Sequence, residues 1–95
     1  MAQNAGREEI SHGAMNIEFT TRATKDFTDL SPRQKAQVRK QLALLRDNLR
    51  HPSIRAKKYD ERNDIWQGRV NQDYRFFFRI VGDTYRILMI VPHPK

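Results

Sequence analysis

Apolar positions in this chain alternate briefly, then recur at helical spacing, then alternate again almost to the last residue. Asn16-Ile17-Glu18-Phe19-Thr20 opens with apolar–polar alternation, which predicts a short strand. Ala23, Phe27 and Leu30 follow at helical spacing in a brief first helix. Ser31-Pro32-Arg33-Gln34 then predicts a second helix, with serine as N-cap, proline at the first helical position and glutamine closing a capping box. Val38, Leu42, Leu45 and Leu49 continue at i, i+4, i+7 and i+11 and make one apolar stripe. The residue before a proline is pushed out of the helical region, so this helix ends within Asn48–Ser53, where His51 precedes Pro52 as a capping residue. Residues 54–63 show no period and are predicted to be a polar connector carrying Arg55, Lys57, Lys58, Tyr59 and Arg62.

The stretch Ile65–Val91 is predicted to form three consecutive antiparallel strands, because β-branched and aromatic residues fill each run and Gly/Asx clusters bound it. A three-residue loop at Asn71-Gln72-Asp73 sets Val70 opposite Tyr74, Arg69 opposite Arg75, Gln67 opposite Phe77 and Trp66 opposite Phe78. Opposed residues share a sheet face, so Trp66, Val70, Tyr74, Phe76, Phe78 and Ile80 collect on one side. A two-residue loop would slip the register by one and scatter arginines among them. Gly82-Asp83 suits a two-residue primed turn, since glycine accepts a positive φ at the first central position. Continued without interruption, that turn pairs Arg79 with Arg86 and Tyr74 with Val91, and puts Tyr85, Ile87, Met89 and Val91 on the apolar face.

The expected fold is α+β with the order β-α-α-β-β-β: two N-terminal helices on one face of a mostly antiparallel four-stranded sheet. Residues 1–14 lack a convincing period and read as a flexible leader containing His12, with Met15 a candidate initiator; residues 15–95 form one domain. Ninety-five residues at 38% hydrophobic content suit a single folded domain with a modest core. The absence of cysteine excludes disulfide staples and thiolate metal sites and fits a reducing cytoplasm. No apolar run approaches the roughly 20 residues of a membrane span.

Charge changes the picture more than composition does. A formal net charge of +7 points toward an anionic partner: nucleic acid, an acidic protein or a membrane surface. Arg33, Lys35, Arg39, Lys40 and Arg46 read as the solvated face of the second helix. The polar face of the sheet is different, because Arg69–Arg75 and Arg79–Arg86 oppose like charges, which costs tenths of a kcal/mol to about 1 kcal/mol per pair. For Arg79 and Arg86, stems lying over the sheet with heads in water are sufficient. For Arg69 and Arg75, an anion between the heads is expected, a phosphate, whose oxygens match the guanidinium fork.

The tail Pro92-His93-Pro94-Lys95 leaves the sheet beside that pair. His93 can move a proton near neutral pH. Two arginines, an imidazole and nearby lysines are what metal-free RNA cleavage needs: a base for the ribose 2′-OH, cations for the phosphorane and an acid for the 5′ oxygen. On residues alone, a surface histidine between two prolines weighs about equally. Patterns for zinc peptidases, dinucleotide folds, phosphate loops and serine hydrolases are absent, so no metal or other cofactor is implied.

The element order, the phrase from Leu45 through His51-Pro52-Ser53-Ile54-Arg55-Ala56-Lys57-Lys58, and the hairpin Trp66-Gln67-Gly68-Arg69-Val70 with Tyr74-Arg75-Phe76-Phe77-Phe78-Arg79-Ile80 resemble the RelE/ParE toxin superfamily. The likeness runs from about Met15 to Lys95. It implies the toxin of a toxin–antitoxin pair, a metal-independent mRNA interferase of the RelE branch that cuts message in the ribosome, with an antitoxin partner wrapped around it. On that resemblance Arg69, Arg75 and His93 are the catalytic group, while Arg55, Lys57, Lys58 and Lys95 steer the RNA backbone. RelE-type relatives carry an arginine and a tyrosine after the last strand; this tail has neither, so the proton-transfer role falls to His93 or to nothing. Two other functions stay open: a ParE-like toxin that binds DNA gyrase without catalysis, and a basic RNA-binding module with no toxicity. For the antitoxin, Phe77 with Leu88 and Ile90 offers an apolar strip between the arginines.

Overall fold

Seven elements form within residues 15–94, the part of the chain that the computed structural model describes. The expected leader over residues 1–14, and Lys95, lie outside the described residues. The elements are β1 (Asn16–Phe19), α1 (Thr21–Thr28), α2 (Pro32–Asp47), β2 (Lys57–Asp60), β3 (Ile65–Arg69), β4 (Tyr74–Val81) and β5 (Thr84–Pro92). They make one sheet in the order β1-β5-β4-β3-β2, parallel only between β1 and β5. The α+β class and the two-helix layer match expectation, but the sheet has five strands rather than four.

The added strand is β2, cut from the stretch expected to be a connector. Its sequence Lys-Lys-Tyr-Asp has little intrinsic strand preference, because lysine and aspartate are depleted in strands. It sits at the sheet edge, where charged side chains discourage another chain from pairing. A register irregularity between Lys58 and Asp60 shortens its ladder with β3 further.

Local chemistry explains both helices. Thr20 caps α1 through its hydroxyl, which accepts from the Ala23 amide at 3.1 Å. Ser31 and Gln34 form the reciprocal capping box of α2, at 3.1 Å in each direction, with Pro32 in the first turn. Ala23, Leu30, Val38, Leu42 and Leu45 then pack against Val70, Phe76, Phe78, Tyr85, Ile87 and Ile90 of the sheet.

The first hairpin has the predicted register: Trp66 faces Phe78, Gln67 faces Phe77 and Arg69 faces Arg75. At the second turn Gly82 takes φ +60°, and Arg79 faces Arg86 as predicted. Farther along, the register departs from expectation. Phe78 faces Ile87 but Phe77 faces Met89, so Leu88 is an extra residue on β5, a β-bulge. Tyr74 therefore faces Pro92 rather than Val91, and the parity of β5 reverses beyond the bulge. Ile90, not Met89, enters the core, at 3% exposure.

The bulge has identifiable supports. β1 runs beside β5 only as far as Ile87, which leaves the next backbone groups of β5 without a strand partner. Helix α1 supplies them. The Thr20 hydroxyl donates to the Leu88 carbonyl at 3.0 Å, and the Ile90 amide donates to the Asp26 carboxylate at 3.0 Å.

Gly68 is required by close approach rather than by backbone conformation. It faces Phe76 across the β3–β4 pair, and a Cβ there would lie 2.4 Å from the tip of the Phe76 ring. Gly68→Ala is expected to destabilise the protein by about 1–3 kcal/mol through overpacking. Adding Phe76→Leu should recover part of that loss, which urea denaturation of the two single variants and the double variant will measure.

Candidate functional site

The face of the sheet turned away from the helices carries a cleft of ≈ 290 Å³ lined by Arg55, Lys57, Gln67, Arg69, Arg75 and His93. Strand alternation places most of these side chains. Arg69 and Arg75 are a directly opposed pair on β3 and β4, and Gln67 and Lys57 oppose each other across β3 and β2. His93 reaches this face because of the bulge. Val91 faces Arg75, and His93, two residues on, repeats its side. In the uninterrupted register His93 would have shared the helix-covered face. The backbone fixes the tail at this point, since the His93 amide donates to the Asp73 carbonyl at 2.7 Å.

Arg55 enters from the loop before β2 in the left-handed region, at φ 51°, an uncommon conformation for a residue with a Cβ. That loop is anchored just before Arg55. Ile54 is fully buried, and its carbonyl accepts from the Arg69 amide at 2.7 Å. Gln41 of α2, 5% exposed, donates from Nε2 to the carbonyls of Ser53 and Arg69 at 3.0 and 2.9 Å. The Ser53 hydroxyl donates back to Gln41 Oε1 at 3.2 Å. One buried amide thus joins the helix, the loop and the end of β3. Gln41 carries no charge or motif, and only its position beside the apolar stripe of α2 marks it in the sequence.

The cleft is strongly cationic. Among the described residues none of Arg55, Lys57, Arg69 and Arg75 forms an ion pair; the pairs that do form are Arg22–Asp26, Lys25–Asp29, Arg86–Glu18 and those of Lys58. Burial, followed by the charges of Arg69 and Arg55, draws the Arg75 guanidinium below the ordinary arginine range, with Asp73 opposing. Arginine stays charged despite such a shift. The Arg75 guanidinium also donates from Nη1 to the carbonyls of Asn71 and Tyr74, at 2.7 and 2.9 Å, so the first turn holds it in place.

Of the expected site residues, the structure brings together Arg55, Lys57, Arg69, Arg75 and His93. Lys58 is elsewhere, because one step along a strand reverses the side. It opposes Trp66, its ammonium lies 5.1 Å from the Trp66 ring centroid, and it pairs with Asp64 at 2.9 Å and Glu61 at 3.7 Å. Hydrogen bonding and charge attraction from Asp64 raise the Lys58 pKa. Arg79 and Arg86 have their own partners: Arg79 donates to the Asn63 carbonyl at 3.1 Å, and Arg86 to Glu18 at 2.8 Å. His51 Nδ1 accepts from the Ser53 amide at 3.1 Å, so its role is in the loop. The expected apolar strip is not formed as foreseen: Ile90 is in the core, and Phe77 is only 7% exposed, with the Tyr59 ring edge-on at 4.8 Å between centroids. Among the described residues, no three His, Asp or Glu side chains converge as metal ligands would.

No family model matches the sequence. No curated protein matches it either. Solved structures do match, over most of both chains. A YoeB/ParE toxin from Agrobacterium tumefaciens superposes with a TM-score of 0.70 at 13% identity, covering 84% of this chain and 100% of its own. The toxin–antitoxin complex RelBE2 from Mycobacterium tuberculosis gives a TM-score of 0.70 at 24% identity, covering 84% and 99%. The E. coli DinJ–YafQ toxin–antitoxin complex gives 0.68 at 15% identity, covering 84% and 93%. The chain has the fold of the RelE/ParE toxins.

Because Asp26 supports the bulge, Asp26→Ala should leave the Ile90 amide without its acceptor and cost about 1–3 kcal/mol. Asp26→Asn keeps an acceptor oxygen and should lose less. Chemical denaturation gives the stabilities, and amide exchange at Ile90 should accelerate in the alanine variant alone.

Proposed function

We propose that this chain is the toxin of a toxin–antitoxin pair in the RelE/ParE superfamily, and that it is a metal-independent endoribonuclease acting on messenger RNA at the ribosome. One observation supports this above the rest: four cations that form no ion pair among the described residues, and one imidazole, line a single small cleft. A site with several charged donors and no carboxylate in its lining suits a phosphate, and the imidazole adds proton transfer within reach of it. The likeness of the whole fold to toxins, some solved with antitoxins, supports the same reading.

The chemistry follows from the residue types. Arg69 and Arg75, opposed across two strands, take the scissile phosphate between their guanidinium forks. His93 accepts the proton of the adjacent ribose 2′-OH as its oxygen attacks phosphorus. Arg69, Arg75 and Lys57 stabilise the negative charge that grows on the phosphorane oxygens. The bond from phosphorus to the 5′ oxygen then breaks and that oxygen takes a proton from water, which leaves a 2′,3′-cyclic phosphate and a free 5′-hydroxyl. The antitoxin partner would present an acidic segment to this face and supply the countercharge the cleft lacks.

Expression of the chain alone is expected to arrest growth and translation, with transcripts broken at positions set by the codon. Arg69→Ala should lower cleavage about 10²–10³-fold, as loss of an oxyanion donor does. His93→Ala should lower it about 10²–10⁴-fold, as loss of an acid–base group does. Mapping of transcript 5′ ends after induction checks both. Unchanged toxicity in the two variants would refute the catalytic assignment, and growth arrest with DNA damage and intact transcripts would point to gyrase binding.

A further inference from the structure

We infer that Tyr59 is a stacking platform for a nucleobase of the strand whose phosphate occupies the Arg69–Arg75 cleft. This rests on reading the cleft as an RNA backbone site, and it adds a contact to the base beside it. Among the described residues two large apolar side chains are exposed, Tyr59 at 60% and Val81 at 42%. Val81 ends β4 beside the Gly82 turn, where exposure is ordinary. Tyr59 lies within β2. A lone exposed aromatic is common on protein surfaces, so its placement has to decide.

The placement comes from the irregularity in β2. Lys57 faces Gln67 and Lys58 faces Trp66, but the next pairing is Asp60 with Ile65, so Tyr59 is an extra residue on its strand. With no directly opposed neighbour, its ring leans across β3 and meets Phe77 of β4, 4.8 Å between centroids. Phe77 faces Gln67, and Gln67 lines the cleft, so the tyrosine ring lies on the cleft's side of the sheet. The two rings meet at 71°, and an edge-on neighbour covers at most one face of the other ring. Phe77 beneath is closed off, while Tyr59 stays open. The contact fixes the ring and leaves its π surface to a ligand.

The distance to the cations is short. Phe77 stands two residues from Arg75 on the same side of β4, about 6.6 Å along a strand. Lys57, two residues before Tyr59 on β2, lines the cleft itself. A nucleotide with its phosphate between Arg69 and Arg75 therefore has the tyrosine ring within reach of its base. Single-stranded nucleic acids are held in this way, by a cationic groove for the backbone and aromatic rings for the bases. Every base has a π-face, so the platform does not select among bases, but it requires one that is unpaired. Tyr59 moves no proton; it restricts how the bound nucleotide lies in front of His93.

The test uses the full chain with a 2′-O-methyl hexanucleotide, which lacks the attacking hydroxyl, and an abasic sugar–phosphate chain of the same length. Tyr59→Leu keeps an apolar contact with Phe77 but has no ring. It should weaken hexanucleotide binding roughly five- to hundredfold and leave binding of the abasic chain unchanged. Tyr59→Phe should bind both ligands as the wild type does. Stacking releases no counterions, so Tyr59→Leu should not alter the slope of log affinity against log salt, whereas Arg69→Gln should lower it by about 0.7. Equal losses on the two ligands, a lower salt slope in Tyr59→Leu, or a loss in Tyr59→Phe as large as in Tyr59→Leu would overturn the platform. So would unchanged hexanucleotide binding in Tyr59→Leu; if that variant instead turned a dimer into a monomer on gel filtration, the ring would be a contact between copies. Failure of the wild-type chain to bind either ligand would overturn both the platform and the RNA reading. Tyr59-dependent binding with no cleavage of 2′-hydroxyl RNA would leave the platform standing and refute only the nuclease.

Discussion

Four positive side chains held close together repel one another, and everything at this site depends on what keeps them in place. The restraint is neutral: the buried Gln41 amide, whose two N–H donors grip the carbonyls of Ser53 and Arg69. A carboxylate could have held the cationic side chains by charge, but it would have filled the cleft with the countercharge that a ligand must bring. An amide fixes backbone and adds no negative charge beside the guanidinium heads. The Gln41 side chain is itself buried, so it would leave its amide unpaired if either carbonyl moved away.

The second determinant is parity. In a strand, neighbours point to opposite sides, so membership of the cleft is a matter of odd and even. Lys57 enters and Lys58 does not, although both carry the same charge. His93 enters because Leu88 adds one residue to β5. That addition is held from outside the sheet, by the N-cap threonine and an aspartate of the first helix. The element that builds the core layer thus also determines where the tail imidazole points.

Much of this was legible in the sequence, and the reasons are local. Loop length and face alternation fixed the pairing of Arg69 with Arg75. The Ser31–Gln34 capping box and the Gly82 turn are short-range signals that need no knowledge of the rest of the chain. What escaped is long-range or weakly coded. Strand β2 is built from residues with poor strand preference and forms because β3 offers it an edge. The bulge depends on Thr20 and Asp26, more than sixty residues before the groups they bind. The junction at Gln41 joins residues 12 and 28 positions apart, and no periodicity announces such a contact.

The bulge also bears on how this sequence can change over time. Between Met89 and His93 side chains can be exchanged for others of similar size while the tail keeps its orientation. Gain or loss of a single residue there cannot be absorbed in the same way, since it would rotate the imidazole through half a turn into the apolar layer. Selection on this segment should therefore act on its length before its composition, and related chains should differ here by replacement far more often than by insertion or deletion.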